Sequence, residues 1–380
     1  MSKVLGVIGG GQLGMMLTQA SSRMSDISKV IVLDPTEGCP AAQVGAEQIQ
    51  ASFDDATAIK KLASLSDVIT YEIESGDSYV LESLQDVAEI NPSPQTLRII
   101  QDKYTQKEFL SQNNIPAPDF AMVSLYDDIV SAASKFGYPL LLKARRGGYD
   151  GRGNYKVDSI RDIQRALDYF GDTPLMVEEF VPYVMEISVI ISRNISGQIE
   201  HYPAVENIHE HNILRQTISP ARISPSLADK AADIAMKTVN VLQGAGVFGI
   251  EMFLLPDDTI LINEIAPRVH NSGHHTMHSA ATSQFEQHIR AVSGMDLGST
   301  KLHGPAVMYN ILGPPNFTGE YMPPQISHDA SHLVMYGKKI SKPLRKLGHI
   351  NIHDNKEYTV SQLLDILESI KPQAAISPIY

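Results

Sequence analysis

The segment Ile260-Leu261-Ile262-Asn263-Glu264-Ile265-Ala266-Pro267-Arg268-Val269-His270 concentrates more chemistry than any other part of the chain. An apolar strand runs straight into a carboxamide, a carboxylate, a guanidinium and an imidazole. A second carboxylate, Glu251, ends the apolar run from Val247 to Ile250. Two strands about a hairpin apart, each carrying an inward Glu, offer the hard oxygens that Mg²⁺ takes. Arg268 and His270 then face whatever the metal activates. A solvated strand end rarely gathers so many catalytic residue types in so short a run. The histidines beyond, His274, His275 and His278, raise zinc as a rival, because His274 and His278 are spaced i, i+4. No His-Glu-x-x-His accompanies them and no third ligand is obvious. His270 beside Arg268 is therefore the functional candidate, and His278 reads as a helix-surface residue.

Two glycine-rich loops could hold phosphates. The first, Gly9-Gly10-Gly11-Gln12-Leu13-Gly14, follows an apolar strand and opens a helix, with Asp34 at the end of the next strand. That is the dinucleotide fingerprint in form, and it admits a dehydrogenase, although the fold hosts many functions. The second, residues 146–154, mixes four glycines with Tyr149, Asp150 and Arg152. It reads as a flap whose backbone N–H groups close over phosphates. It lacks the Gly-Lys-Ser/Thr ending of a Walker motif. Lys143, at the preceding strand end, can meet a phosphate from within. Glu178-Glu179-Phe180-Val181 suits a purine, since an extended backbone offers donors and acceptors to an adenine edge. Glu186 lies a little further on and could take ribose hydroxyls.

The elements that must position these groups follow from periodicity. Val4–Ile8, a helix to about Met24, and Lys29–Leu33 form a βαβ unit. Asp67–Glu72 is a further strand, and Glu89–Asn91 closes a first domain near residue 95. One helix is expected from Thr96 to Gln112, carrying Lys103 and Lys107. Strands are expected over Tyr138–Ala144 and Leu175–Val181, and a hairpin over Glu186–Arg193 and Gly197–Val205. Helices are expected over Ser226–Gln243, Gln284–Val292 and Val360–Ile370.

At 380 residues the chain exceeds one core and implies two or three domains. No apolar run approaches the roughly 20 residues of a membrane helix. The start leads directly into a strand, so no signal peptide is expected. A lone cysteine, Cys39, excludes an internal disulfide, fits a reducing cytosol and reads as an incidental loop thiol. The net charge of −12 argues against a general nucleic-acid binder. Basic groups cluster locally instead, at Lys143, Arg145, Arg146 and Arg152, and at Lys338, Lys339, Lys342, Arg345 and Lys346.

Taken in order, these motifs resemble the ATP-grasp superfamily of carboxylate–amine ligases. Within it they resemble the 5-(carboxyamino)imidazole ribonucleotide synthetase family. The likeness covers nearly the whole chain. Its most specific pieces are Gly10–Gly14, Gly147–Gly151, Asn263–His275, and the tail from Tyr336-Gly337-Lys338 through Arg345-Lys346-Leu347-Gly348-His349. Val269 stands where the family commonly has Pro, and His275 where Tyr is frequent. The resemblance implies an α/β and α+β chain. Its parts are a Rossmann-like pre-ATP-grasp domain (1–95), an ATP-grasp domain (96–300, lid about 116–183) and a small mixed C-terminal subdomain (301–380).

It also implies roles. Lys103 and Lys143 neutralise ATP phosphates, and Gly148, Tyr149, Asp150, Gly151, Arg152, Gly153 and Asn154 close over them. Glu178, Glu179, Phe180, Val181 and Glu186 hold adenosine, with His209 nearby. Glu251 and Glu264 bind Mg²⁺, two ions in all, and Asn263 contacts the nucleotide. Gln12, Leu13, Glu72 and Tyr149 contact 5-aminoimidazole ribonucleotide, and Lys338, Arg345 and Lys346 hold its phosphate. Arg268 and His270 sit at bicarbonate, and Asp150 accepts the amine proton. The expected product is 5-(carboxyamino)imidazole ribonucleotide in purine biosynthesis, made by a cytoplasmic homodimer with no nucleic-acid or membrane partner. Three rivals stay open: a formate-dependent glycinamide ribonucleotide transformylase, an NAD-dependent dehydrogenase, and a non-catalytic nucleotide sensor. A biotin carboxylase would need a longer chain.

Overall fold

The computed structural model describes residues 2–148, 153–354 and 358–379. Tyr149, Asp150, Gly151 and Arg152 of the second glycine loop lie outside the described residues.

The N-terminal strands β1 (Lys3–Ile8), β2 (Ile27–Leu33), β3 (Glu47–Ile49), β4 (Val68–Tyr71) and β5 (Glu89–Ile90) form one parallel sheet, ordered β3-β2-β1-β4-β5. Helices cover both faces, which is why the strands read as continuous apolar runs rather than alternating ones. Leu5 and Val7 pack with Leu13 and Leu17 of the helix Gln12–Ser21. Ile8, Ile31 and Leu33 pack with Ile59 and Leu62 of the helix Ala56–Leu65. That second helix and β3 escape the sequence reading, because short or polar-flanked elements carry weak periodicity.

The helix expected over Thr96–Gln112 is two helices, Pro94–Gln101 and Lys103–Gln112. Asp102 breaks the run by turning extended, at φ −115° and ψ 111°, and capping the second helix through the N–H groups of Tyr104 and Thr105. A capping aspartate competes with continuous helix for its own backbone.

The segment expected to be the lid holds a four-stranded antiparallel sheet of β6 (Phe120–Val123), β7 (Leu140–Ala144), β8 (Asn154–Val157) and β9 (Leu175–Glu179), ordered β6-β9-β7-β8. The strand expected to reach Val181 stops at Glu179, just before Pro182.

The central sheet contains β10 (Met185–Arg193), β11 (Ile199–His201), β12 (Val205–Glu210), β13 (Ile213–Ser219), β14 (Gly246–Leu254), β15 (Ile260–Ala266) and β16 (Ala306–Leu312). Ile187, Val189, Phe248 and Ile250 bury one face against Ala231, Ala235 and Val239 of the helix Pro225–Leu242. On the other face Ile190 and Val247 join Phe285, Ile289 and the first domain's Leu13 and Leu17 in one cluster. The central-sheet body and the N-terminal domain therefore share a core.

Beyond residue 300, β17 (Gly319–Met322), β18 (Ser331–Met335), β19 (Ile340–Ser341), β20 (Lys346–Ile352) and β21 (Ser377–Pro378) follow. β16 pairs with both β13 and β20, so the central sheet runs on into the C-terminal segment without an exposed edge between them. Cys39, expected in a loop, is buried at the start of the short helix Pro40–Gln43. No described helix is long and apolar enough to cross a membrane.

Candidate active site

The two glutamates expected to bind metal stand directly opposite each other. In the antiparallel pairing of β14 with β15, Glu251 faces Glu264, with an irregularity immediately after Glu251. Like charges at opposed positions repel, so this pair needs counter-charge. Lys103 Nζ lies 2.6 Å from Glu264, and His270 Nε2 lies 3.2 Å from Glu251. Burial would push the Glu251 carboxyl up, but His270, His209 and Lys103 outweigh it and hold it at about 2. Burial likewise opposes the Lys103 ammonium, yet Glu264 raises it above its ordinary value. Gly249 makes the arrangement possible, because a Cβ there would fall 2.6 Å from the His270 ring. Among the described residues no three His, Cys, Asp or Glu side chains converge as a complete metal cage. Two opposed carboxylates are nevertheless a normal protein share for Mg²⁺, which takes one or two carboxylates plus substrate phosphates and water.

Lys143, on β7, faces the same space. Its Nζ lies 2.6 Å from Glu178, whose other oxygen lies 3.3 Å from Lys107. Glu178 is only 2% exposed, so its side chain points into the lid–body junction rather than toward a nucleotide. Glu179 accepts the Asp119 N–H, Val181 is buried, and neither lines the cleft, whereas Phe180 does. Gly153 also stands off the cleft wall, while Gly148 and Asn154 form part of it. Glu186 binds the Tyr183 hydroxyl at 2.6 Å and His209 Nδ1 at 3.0 Å. Burial would lower the His209 imidazolium, but Glu186 raises it. Tyr183 stacks on Phe253 with ring centroids 4.6 Å apart, an apolar wall suited to a base.

The first glycine loop is already occupied. Glu72 accepts hydrogen bonds from Gly11 N–H and, at 2.6 Å, from Gly14 N–H. Asp34 accepts from Gly10 N–H at 2.9 Å and from Thr36 N–H. The donors that a pyrophosphate would need at this helix N-terminus are held by the chain's own carboxylates. This geometry removes the dehydrogenase reading of the fingerprint. Gln12, Leu13 and Glu72 remain on the cleft wall beside it. Glu74 pairs with Arg268 at 2.8 Å, so it works on the guanidinium rather than beside Glu72.

The tail brings Lys338, Arg345 and Lys346 to the same cleft. Lys338 donates to the Lys346 carbonyl and Arg345 to the Ile340 carbonyl, both at 2.8 Å. Of the histidines beyond His270, His274 borders the cleft from a buried position. His274 is buried on Gln284 and His349, and burial holds its imidazolium well below the ordinary range. His278 is not a plain surface residue: it stacks on His332 and meets Asn351. Val269 and His275, the departures from the family pattern, are fully buried.

Lys103, Lys143, Glu186, Glu251, Glu264, Arg268 and His270 open with the first glycine loop and the tail cations on one cleft of about 1430 Å³. That exceeds the roughly 300–1,000 Å³ of an ordinary single-ligand pocket and suits two nucleotides. The ribonucleotide synthetase preATP-grasp domain matches residues 1–101, the ATP-grasp domain 108–285, and the phosphoribosylaminoimidazole carboxylase C-terminal domain 306–362. The N5-carboxyaminoimidazole ribonucleotide synthase of Brucella melitensis is 41% identical, over 91% of this chain and 95% of its own. The chain belongs to the N5-carboxyaminoimidazole ribonucleotide synthase family. It is thus an ATP-grasp ligase. The phosphoribosylaminoimidazole carboxylase of Schizosaccharomyces pombe is 40% identical over 97% of this chain, which spans 69% of that longer protein. For the Candida albicans carboxylase the share is 64%. The synthetase structure from Thermotoga maritima superposes with a TM-score of 0.89 at 41% identity, covering 99% of this chain and 100% of that one. A synthase from Aspergillus clavatus, bound to ADP and 5-aminoimidazole ribonucleotide, gives 0.89 at 34% identity, covering 98% of each chain.

Sequence reasoning overlooked several residues at this site. Asp102 takes Arg145 through both carboxylate oxygens, at 3.0 and 2.7 Å, and Arg146 at 3.4 Å. Burial would raise Asp102, but Arg145 holds it below the usual carboxylate range. Lys107, Tyr183 and Phe253 are further site groups without a sequence signal, whereas Glu74 falls in the polar strand end Glu72–Ser75, a place where parallel sheets bind ligands. Beyond that, only the clustering of Arg145 and Arg146 beside the flap hinted at any of this, because partners many residues apart leave no local pattern.

Proposed function

We propose that the chain carboxylates the amine of 5-aminoimidazole ribonucleotide with bicarbonate, at the expense of ATP, giving 5-(carboxyamino)imidazole ribonucleotide, ADP and phosphate. The observation that carries this reading is the position of Arg268 and His270. They line one cleft with Lys103, Lys143, Glu264, Gln12, Leu13 and Glu72, Arg268 pairing with Glu74 and His270 with Glu251.

Bicarbonate is a poor electrophile, since its carbon bears charge and no leaving group. Its oxygen attacks the γ-phosphorus, ADP departs, and carboxyphosphate results. The amine then attacks the carboxyl carbon, phosphate leaves, and a proton is lost from nitrogen. Phosphoryl transfer asks for positioning and charge neutralisation rather than covalent help. Lys103 and Lys143 supply cations for the phosphates. Arg268, oriented by Glu74, and His270, beside Glu251, hold the bicarbonate end. Tyr183, Phe253 and Phe180 take the base, and Glu186 the ribose. Lys338, Arg345 and Lys346 hold the ribonucleotide phosphate. Glu251 and Glu264 would carry Mg²⁺, which would supply further neutralisation of phosphate charge. Gly148 to Asn154 exclude water from short-lived carboxyphosphate. Asp150, on that flap and outside the described residues, accepts the amine proton. The working form is a cytoplasmic homodimer.

The test is ADP release from ATP, Mg²⁺ and bicarbonate, with and without 5-aminoimidazole ribonucleotide. Release that the ribonucleotide stimulates is expected, and no release under either condition refutes the reading. Stimulation by formate with glycinamide ribonucleotide instead would reassign the acceptor.

A further inference from the structure

Lys107 has no role in the chemistry so far, yet its environment is unusual. It sits on the helix Lys103–Gln112 and is 2% exposed. Its Nζ donates to the Ile262 carbonyl at 3.0 Å and lies 3.3 Å from Glu178. Ile262 belongs to β15, two residues before Glu264, and its own N–H binds Pro116 at the start of the lid. Glu178 and Lys143, by contrast, are lid residues on paired strands β9 and β7. A buried chain of charge therefore crosses from the body through Lys107 and Glu178 to Lys143 and the cleft.

The stoichiometry gives this chain its meaning. One carboxylate is shared by two ammonium groups. Burial would raise Glu178, but Lys107 and Lys143 hold it at about 2, so it is a firm anion. In a simple one-to-one pair, any turn of Lys143 toward a phosphate would strand a buried carboxylate. Breaking a buried pair in that way is far costlier than removing both partners. With Lys107 present, Glu178 keeps a counter-ion whichever way Lys143 faces. Lys107 is also anchored on the Ile262 carbonyl.

We propose that Lys107 is a positioning residue for ATP use, the reserve counter-ion that keeps Glu178 paired when Lys143 turns to a nucleotide phosphate. This rests on the reading of the cleft as an ATP site. It also changes the part expected of Glu178, whose side chain governs Lys143 instead of touching adenosine.

The experiment measures ATP and 5-aminoimidazole ribonucleotide kinetics by ADP release, using the full chain with bicarbonate and Mg²⁺. Lys107→Met should raise the KM for ATP about tenfold or more and leave the ribonucleotide KM within about twofold. Lys107→Arg should restore most of the ATP affinity, because its charge persists. Adding Glu178→Gln to Lys107→Met should recover part of the loss, since no buried carboxylate then needs a partner. An ATP KM for Lys107→Met within twofold of wild type overturns the proposal, as does a raised KM that Glu178→Gln leaves untouched. If Lys107→Met does not fold, the double variant is compared with Glu178→Gln alone. The two should then share an ATP KM within about twofold, because Lys107 acts only through the Glu178 carboxylate, and a larger difference refutes the idea. Absence of ADP release from wild type would instead count against the ATP reading itself.

Discussion

Two glycine-rich loops face the same cleft and do opposite things. In the N-terminal loop the backbone donors of Gly10, Gly11 and Gly14 are already bound by Asp34 and Glu72. In the lid loop Gly147 and Gly153 adopt positive φ, at +74° and +86°, and nothing lies within 4 Å of the space a Gly147 side chain would enter. One loop is locked by its own chain, and in the other the described Gly147 has open space beside it. Glycine content alone signals a close backbone approach, without saying to what. The approaching group decides whether the loop is a binding site or a joint.

This contrast can be broken at several points. The largest effect is expected from the open loop: Asp150→Asn should cut turnover with bicarbonate by about 10²- to 10⁴-fold at unchanged thermal stability. Full turnover would show that the loop covers the reaction without joining it. In the locked loop Gly9→Ala should cost about 3 kcal/mol, read by denaturant unfolding. Gly9 has φ +101°, and an added Cβ would lie 2.5 Å from Glu72. Glu72→Gln should cost about 2 kcal/mol in the same assay, because an amide cannot accept from both glycine donors. A Glu72→Gln protein of wild-type stability that gained phosphate binding would mean the lock is dispensable. Gly147→Ala should cost only about 1 kcal/mol, from backbone strain in open space. An equal cost at Gly9 and Gly147 would erase the distinction.

The last test uses acid. Glu251 lies at about 2 in the folded protein against an ordinary 4.5. A depressed carboxyl contributes stability that is present above about pH 4.5 and lost as the pH falls toward 2. Glu251→Gln should therefore flatten the acid limb of the stability curve in that window. An unchanged slope would show that His270 and Lys103 do not hold this carboxylate in solution.

Much of the site was legible because its parts are local. Glu264, Arg268 and His270 fall within seven residues of sequence, and alternation places them on a strand and its exit. Helices Gln284–Val292 and Val360–Ile370 match their amphipathic spans residue for residue. The break at Asp102 was illegible for the opposite reason. Its cap is local, but its hold on Arg145 depends on a loop more than forty residues away.

The sequence by itself determined the residue types, their order and the elements that carry them, since periodicity, caps and glycine turns act over a few residues. Only the tertiary structure decided which charges meet. It set Glu251 opposite Glu264 and used Glu72 to close a loop that looked open. It also sent Glu178 inward, between Lys107 and Lys143. The physical reason is that a buried carboxylate is tolerated only where cations or N–H donors reach it, and those partners come from strands and helices distant along the chain.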